Sequence, residues 1–296
     1  MGQSWSISHA SGAHRFESPP ESAIRSWSFP FSRREALQRL GSGALLTLGF
    51  WPGALRADNE IPSDSFRFLV INDTHCMSAE CGPYLEGVVA QMKQAGAEFC
   101  LHAGDLTEKG ERHYLEQVKD IFEVLPGRMY PVIGNHDYQT QTDRRAYTQA
   151  FPLRVNYYVH HRGWQFIGLD TSDGLRYEKT EIQSSTFRWL DEYLPRLNRR
   201  KPTVIFTHFP LGEGVQYRPK KADALLDRFR EFNLQAVFCG HYHSFTERKA
   251  GNVILTTNRC CALKRTNHDG TKEKGYFVCE AREGRMTRIF VEYKPR

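Results

Sequence analysis

The sequence contains no apolar run of the ~18–20 residues that a membrane-crossing helix needs. It has no internal repeat, and none of its seven cysteines falls in a metal-finger spacing, so solenoids and Cys-rich zinc modules are excluded. Seven cysteines in 296 residues are also too few for a small disulfide scaffold. Neither sign of charge dominates. Lys+Arg 40 against Asp+Glu 34 gives +6, and residues 1–57 hold six Arg, no Lys and three Glu, so the remaining 239 residues carry only +3. That bias is too weak to imply a nucleic-acid or membrane-surface partner. What is present is ordinary for a globular protein: 40% hydrophobic and 25% charged residues, enough for one large α/β domain.

Residues 1–31 are rich in Ser, Pro, Gly and His and lack helical or strand periodicity, which reads as unstructured. Then follow Ser32-Arg33-Arg34-Glu35-Ala36-Leu37-Gln38, a mildly apolar stretch from Leu40 to Trp51, and the small-residue exit Ala54-Leu55-Arg56-Ala57. This arrangement resembles a twin-arginine export signal, with Ala57–Asp58 as the cut. It implies an exported, periplasmic protein that meets the twin-arginine translocase in transit. Ala36 and Leu55 depart from the usual pattern, and a cytosolic protein with a loose amphipathic tail is the plainer alternative. The chain is thus divided into a leader, 1–57, and one domain, 58–296. Cys100, Cys239 and Cys279 lie in apolar runs and read as small core residues. Cys76 and Cys81 flank a polar loop and are able to bridge in an oxidising compartment.

The mature chain alternates strands and helices. Short β-branched and aromatic runs mark strands at 66–72, 98–103, 129–133, 164–169, 203–206 and 235–238. Helical spacing of apolar residues marks 83–94, 111–125, 185–197 and 222–232. After Cys239 come short strands with hairpin signals, at 245–249, 252–256, 276–281 and 286–293. The expected fold class is α/β: two packed mixed β-sheets flanked by helices.

Five predicted strands end in polar clusters: Asp73-Thr74-His75, Gly104-Asp105, Gly134-Asn135-His136-Asp137, Thr207-His208 and Gly240-His241-Tyr242-His243. The carboxyl ends of strands in an α/β sheet open on one crevice, so these clusters are expected to converge. Carboxylate oxygens mixed with imidazole nitrogens suit Mn, Fe or Zn, and eight such groups match two ions better than one. Each residue has a plainer reading alone. A single Asp at a strand end is a turn former or helix cap, and a single His is a satisfied core residue. The ordered occurrence of all five clusters outweighs those readings. His9, His14, His102, His113, His160, His161 and His268 fall outside the pattern.

The set D-x-H, G-D, G-N-H-D, H and G-H-x-H, in this order over residues 66–245, resembles the calcineurin-like metallophosphoesterase superfamily. Gly104-Asp105-Leu106-Thr107-Glu108 with Gly110 is similar to its class III cyclic-nucleotide phosphodiesterase branch. The purple acid phosphatase branch carries a ligand Tyr where Glu108 stands. The resemblance implies the metallo-dependent phosphatase four-layer sandwich, with two divalent or mixed-valence metal ions (Mn, Fe or Zn). One ion would be held by Asp73, His75 and His243, the other by Asn135, His208 and His241, with Asp105 bridging. His136 would act as general acid, with Asp137 orienting its ring. The implied reaction is hydrolysis of a small organic phosphate ester, phosphodiester favoured, by attack of a metal-bound hydroxide.

The loops 80–83, 138–145, 171–179, 212–221 and 259–274 are candidates for specificity. Tyr217 is able to stack on a base and Arg218 to pair with a second phosphate; equally, Arg218, Lys220 and Lys221 are solvated loop charges, and Lys264 and Arg265 share that ambiguity. The alternatives carried are a phosphomonoesterase or nucleotidase, a nuclease, and a non-catalytic metal-binding scaffold. Low mature charge opposes a nucleic-acid partner, and the full set of site residues opposes a scaffold.

Overall fold

The computed structural model describes residues 65–295; the stretch expected to be an export signal, and its expected cut, lie outside the described residues. Strand β1 (Phe66–Ile71) is apolar at both parities, as a strand covered on both faces must be. Phe66, Phe68 and Val70 face a core between two sheets, while Leu69 and Ile71 face a second core under helices. Beside β1 run β2 (Cys100–His102) and β3 (Met129–Pro131), both parallel to it.

The second sheet is built from β4 (Tyr157–His161), β5 (Trp164–Leu169), β6 (Thr203–Thr207), β7 (Leu234–Cys239), β8 (Thr246–Ala250) and β9 (Val253–Thr257). Its order is β4-β5-β6-β7-β9-β8. The chain then returns through β10 (Gly275–Arg282) and β11 (Arg285–Glu292), a hairpin that adds antiparallel to β1 and completes the first sheet as β11-β10-β1-β2-β3.

Helices α1 (Cys81–Met92), α2 (Arg112–Glu123) and α3 (Arg145–Ala150) cover the first sheet through residues such as Leu85, Val88, Leu115, Phe122 and Tyr147. Helices α4 (Ser184–Tyr193) and α5 (Ala222–Asp227) cover the second through Leu190, Ala222 and Leu225. Between the sheets lies an aromatic core in which Phe68 stacks on Phe99 at 5.3 Å and meets Phe166 edge-on at 5.2 Å. The layers are helix, sheet, sheet, helix, which is the expected class. Among the described residues, no helix is long and apolar enough to cross a membrane.

Several details differ from the periodicity. The stretch before Trp164 contains α3 and β4, where the sequence shows only irregularity. In Tyr157-Tyr158-Val159-His160-His161 the pattern is blurred by histidines, and the hairpin to β5 turns on Arg162 and Gly163, both at positive φ. Helix α5 stops at Asp227 because the chain tightens into i→i−3 turns, Arg228 N–H bonding Leu225 and Phe229 N–H bonding Leu226. Strand β9 lies parallel to β7, so the later strands are not all antiparallel. All seven cysteines are buried free thiols.

Candidate metal centre

The parallel strands β1, β2, β6 and β7, with the short β3, all run out at the same edge, and the five clusters meet there. Asp73, His75, Asp105, Asn135, His208, His241 and His243 are each no more than 6% exposed. The backbone is bent sharply to bring them inward. Five of the seven, Asp73, His75, Asp105, His241 and His243, sit at positive φ, which costs a non-glycine residue energy and is tolerated where surroundings over-determine it.

The glycines serve close approach. A Cβ on Gly104 would lie 2.6 Å from His208 Nδ1, one on Gly134 2.1 Å from Asp105 Oδ1, and one on Gly240 2.6 Å from Asp73 Oδ2. Only Gly104 of the three also needs its positive φ of 86°.

Two groups of donor atoms share one residue. Asp73, His75, Asp105 and His243 bring one donor atom each within 4.8 Å of one another, and so do Asp105, His208 and His241. Asn135 Oδ1 joins the second group, 3.1 Å from His208 Nε2. Asp105 Oδ2 stands between the groups, 3.6 Å from His75 Nε2 and 3.2 Å from His208 Nε2.

Each of the four imidazoles turns one nitrogen outward to an oxygen. His208 Nδ1 lies 2.9 Å from the Ala103 carbonyl, His241 Nε2 2.7 Å from the Tyr177 carbonyl, and His243 Nδ1 3.3 Å from the Thr266 carbonyl. His75 Nδ1 lies 3.0 Å from Glu108 Oε2. At His208, His241 and His243 an outward N–H donated this way leaves the inner nitrogen as a bare lone pair, while at His75 the Glu108 contact is one of charge, without hydrogen-bond geometry.

Those inner atoms crowd together: His75 Nε2 is 3.1 Å from His243 Nε2, and His241 Nδ1 is 3.2 Å from His208 Nε2. Acceptor facing acceptor at this range is repulsive unless positive charge lies among them, so the residues present fit two cations. The same demand appears as proton affinity. Burial disfavours the charged ring, yet Asp105 and Asp73 outweigh it at His208, pushing it up to about 9. Burial opposes the charge of His243 as well, but Asp73 lifts it to about 11. Burial and the neighbouring His208 charge drive His241 down to about 3. The adjacent imidazoles hold Asp73 and Asp105 well below the ordinary carboxylate range in spite of burial.

His136 stands at the mouth, half-buried, its ring edge-on to His75 at 4.8 Å. The expected partnership with Asp137 does not form. The Asp137 oxygens accept the Thr107 backbone N–H at 3.0 Å, the Gly134 N–H at 3.0 Å and the Thr107 hydroxyl at 3.3 Å. Those donors are fixed by the turn Asn135–Asp137, which points the carboxylate back at its own loop. The His136 ring is held instead by the Glu108 carbonyl, 2.9 Å from Nδ1. Burial first, and the charge of Asp105 second, push Asp137 up to about 7. His102, outside the pattern in sequence, packs in the core with Nε2 3.1 Å from the Thr74 hydroxyl.

Over the cluster opens a cleft of about 420 Å³. Three of the five candidate loops reach it: Leu175 and Tyr177, Tyr217, and Arg265 with His268. Residues 81–83 are taken up by α1, and the 138–145 loop lines no part of the cleft, being tied down beside it where Arg144 Nη1 meets Asp170 Oδ2 at 2.7 Å. Tyr217 is edge-on to His241 at 5.1 Å. Arg218 is turned away: it pairs with Asp223 and donates from Nε to the Leu211 carbonyl at 2.9 Å. The pairing of Glu108 with Arg265, and the stacking of His268 on His243 at 4.9 Å, escaped the sequence reading. Glu108 had one signal, its place three residues after Asp105; the others are joined only in three dimensions.

A profile of the family described as calcineurin-like phosphoesterase matches residues 66–245. A Synechococcus protein named a probable cyclic nucleotide phosphodiesterase is 27% identical over 128 residues, 43% of this chain and 48% of the relative. The match thus spans about half the length of that relative. A Nostoc protein named a 3',5'-cyclic-nucleotide phosphodiesterase is 26% identical over 208 residues, 62% of this chain and 73% of the relative. Among solved structures, a dimetal phosphatase from Danio rerio superposes with a TM-score of 0.54 at 15% identity, over 76% of this chain and 95% of the other. A purple acid phosphatase from yellow lupin gives 0.57 at 12% identity, over 77% and 51%. At such identities the two structures share the fold.

Proposed function

We propose, on the premise that this chain belongs to the calcineurin-like phosphoesterase family, that it is a metal-dependent hydrolase of small organic phosphate esters, diesters ahead of monoesters. The observation that carries the reading is the set of four imidazoles with outward acceptors and crowded inner nitrogens. Asp73, His75 and His243 would hold one ion and Asn135, His208 and His241 the other, with Asp105 shared. Bound divalent ions at such a site supply Lewis-acid activation of water and of the phosphoryl group.

The protein's own residues do the rest. The Glu108 carbonyl at Nδ1 leaves His136 Nε2 as the nitrogen free to protonate the departing ester oxygen. The buried carboxylates and imidazoles keep the donor set preorganised. Diester preference is supported by the names of the two cyanobacterial relatives and by the cleft's aromatic side, where Tyr177 and Tyr217 offer surface to a second ester group.

The test is to strip the purified protein, reload it with Mn, Fe or Zn, and compare bis(4-nitrophenyl) phosphate with 4-nitrophenyl phosphate. The diester is expected to be the better substrate. Monoester preference would favour a phosphatase or nucleotidase, and inactivity with every metal would overturn the hydrolase reading. Export is a separate part of the proposal, resting on Arg33-Arg34 and the apolar stretch after them. Replacing both by Lys should retain the precursor in the cytoplasm, and normal export of that variant would remove the twin-arginine reading.

A further inference from the structure

Among the described residues, Arg265 is the only Lys or Arg lining the cleft. Its Nε donates to Glu108 Oε2 at 3.0 Å and its Nη2 donates to Glu108 Oε1, a two-pronged pair that fixes the plane of the guanidinium. Its backbone is fixed too, because Lys274 Nζ donates to the Arg265 carbonyl. The pair uses one edge of the fork, and the Nη1 edge has no protein partner among the described residues. Glu108 is only 16% exposed, lies 3.0 Å from His75 Nδ1 on its other side, and has Oε1 3.7 Å from His136 Nδ1. One carboxylate therefore steadies a candidate metal ligand and holds a cation at the cleft wall, next to the residue assigned to the leaving oxygen.

We propose that Arg265 is a specificity-determining residue that hydrogen-bonds the substrate's phosphoryl group through its free edge, and that Glu108 sets charge selectivity by cancelling the guanidinium's charge. The proposal rests on the phosphoesterase reading above. A phosphodiester is a monoanion, whereas a monoester at neutral pH approaches a dianion. A bare Arg at the wall would reward the extra negative charge. A neutralised Arg offers directed N–H donors with little net field, so the diester loses nothing by its lower charge.

The experiment uses the full-length protein loaded with Mn²⁺. Kinetics are measured on bis(4-nitrophenyl) phosphate and 4-nitrophenyl phosphate, and orthophosphate binding by calorimetry. Arg265→Met is expected to weaken orthophosphate binding about tenfold and to raise the diester KM by a similar factor, with a smaller change in kcat. Glu108→Gln is expected to raise the monoester-to-diester ratio of kcat/KM about tenfold. Taking that ratio within one preparation cancels any partial loss of metal through His75. Orthophosphate binding within twofold of wild type in Arg265→Met would overturn the proposal, as would an unchanged ratio in Glu108→Gln. Wild-type protein inert toward both esters would defeat the hydrolase reading alone, because orthophosphate binding still tests Arg265.

Discussion

Asp137 Oδ1 accepts the backbone N–H of Thr107 at 3.0 Å, tying the loop that carries Asp105 to the loop that carries Asn135 and His136. Its Oδ2 accepts the Gly134 N–H at the same distance, so both oxygens are used on main chain. Asp137→Asn would turn an amide N–H₂ toward one of those N–H groups and leave it unsatisfied. The expected cost is roughly 1–3 kcal/mol of stability, read from urea unfolding of the metal-free protein. Unchanged stability with a loss confined to turnover would return the carboxylate to a role on the His136 ring.

His136 makes a different prediction, because it lies outside the two donor groups that share Asp105 and is grouped instead with His75 and Glu108 at the mouth. His136→Ala should bind metal as the wild type does and lose about 10²–10⁴-fold in rate on an alkyl diester, whose leaving oxygen needs a proton. Nitrophenyl esters, with a good leaving group, should suffer far less. Equal losses on both kinds of ester would remove the general-acid assignment.

The pH dependence of the metal-free protein follows from His208. Its ring is raised from 6.5 to about 9, chiefly because Asp105 and Asp73 outweigh burial. A raised cation contributes stability that is full below the unfolded value and is lost as pH climbs through the folded one. The melting temperature of stripped protein should therefore fall between about pH 6.5 and 9. Adding Mn²⁺ supplies the positive charge and should flatten that fall. A metal-free melting temperature that rises over this window would contradict the electrostatics described for the cluster.

The sequence made the convergent part of this site legible, because strand ends in an α/β sheet share one crevice and the residue types declare their chemistry. Asp73, His75, Asp105, Asn135, His208, His241 and His243 could be grouped without coordinates for that reason. What escaped depends on direction rather than composition. Asp137 follows His136 immediately, yet the tight turn Asn135–Asp137 sends its carboxylate to Thr107 and Gly134. Arg218 and Arg265 looked alike as loop cations, and only their partners, Asp223 and Glu108, separate a surface pair from a cleft wall. Strand β4 was hidden for a related reason: His160 takes its exposed position, while His161, a polar residue by type, packs half-buried against Phe66 and Phe99, so residue types do not mark which face is inward.

The central claim is that the buried cluster holds two ions about Asp105. The most direct measurement is the metal content of stripped protein reloaded with Mn²⁺ and freed of excess, for the wild type and for Asp105→Ala. The account predicts two ions per chain in the wild type and a loss of at least one in the variant, since Asp105 belongs to both donor groups. One ion or none in the wild type, or two retained in Asp105→Ala, would contradict it.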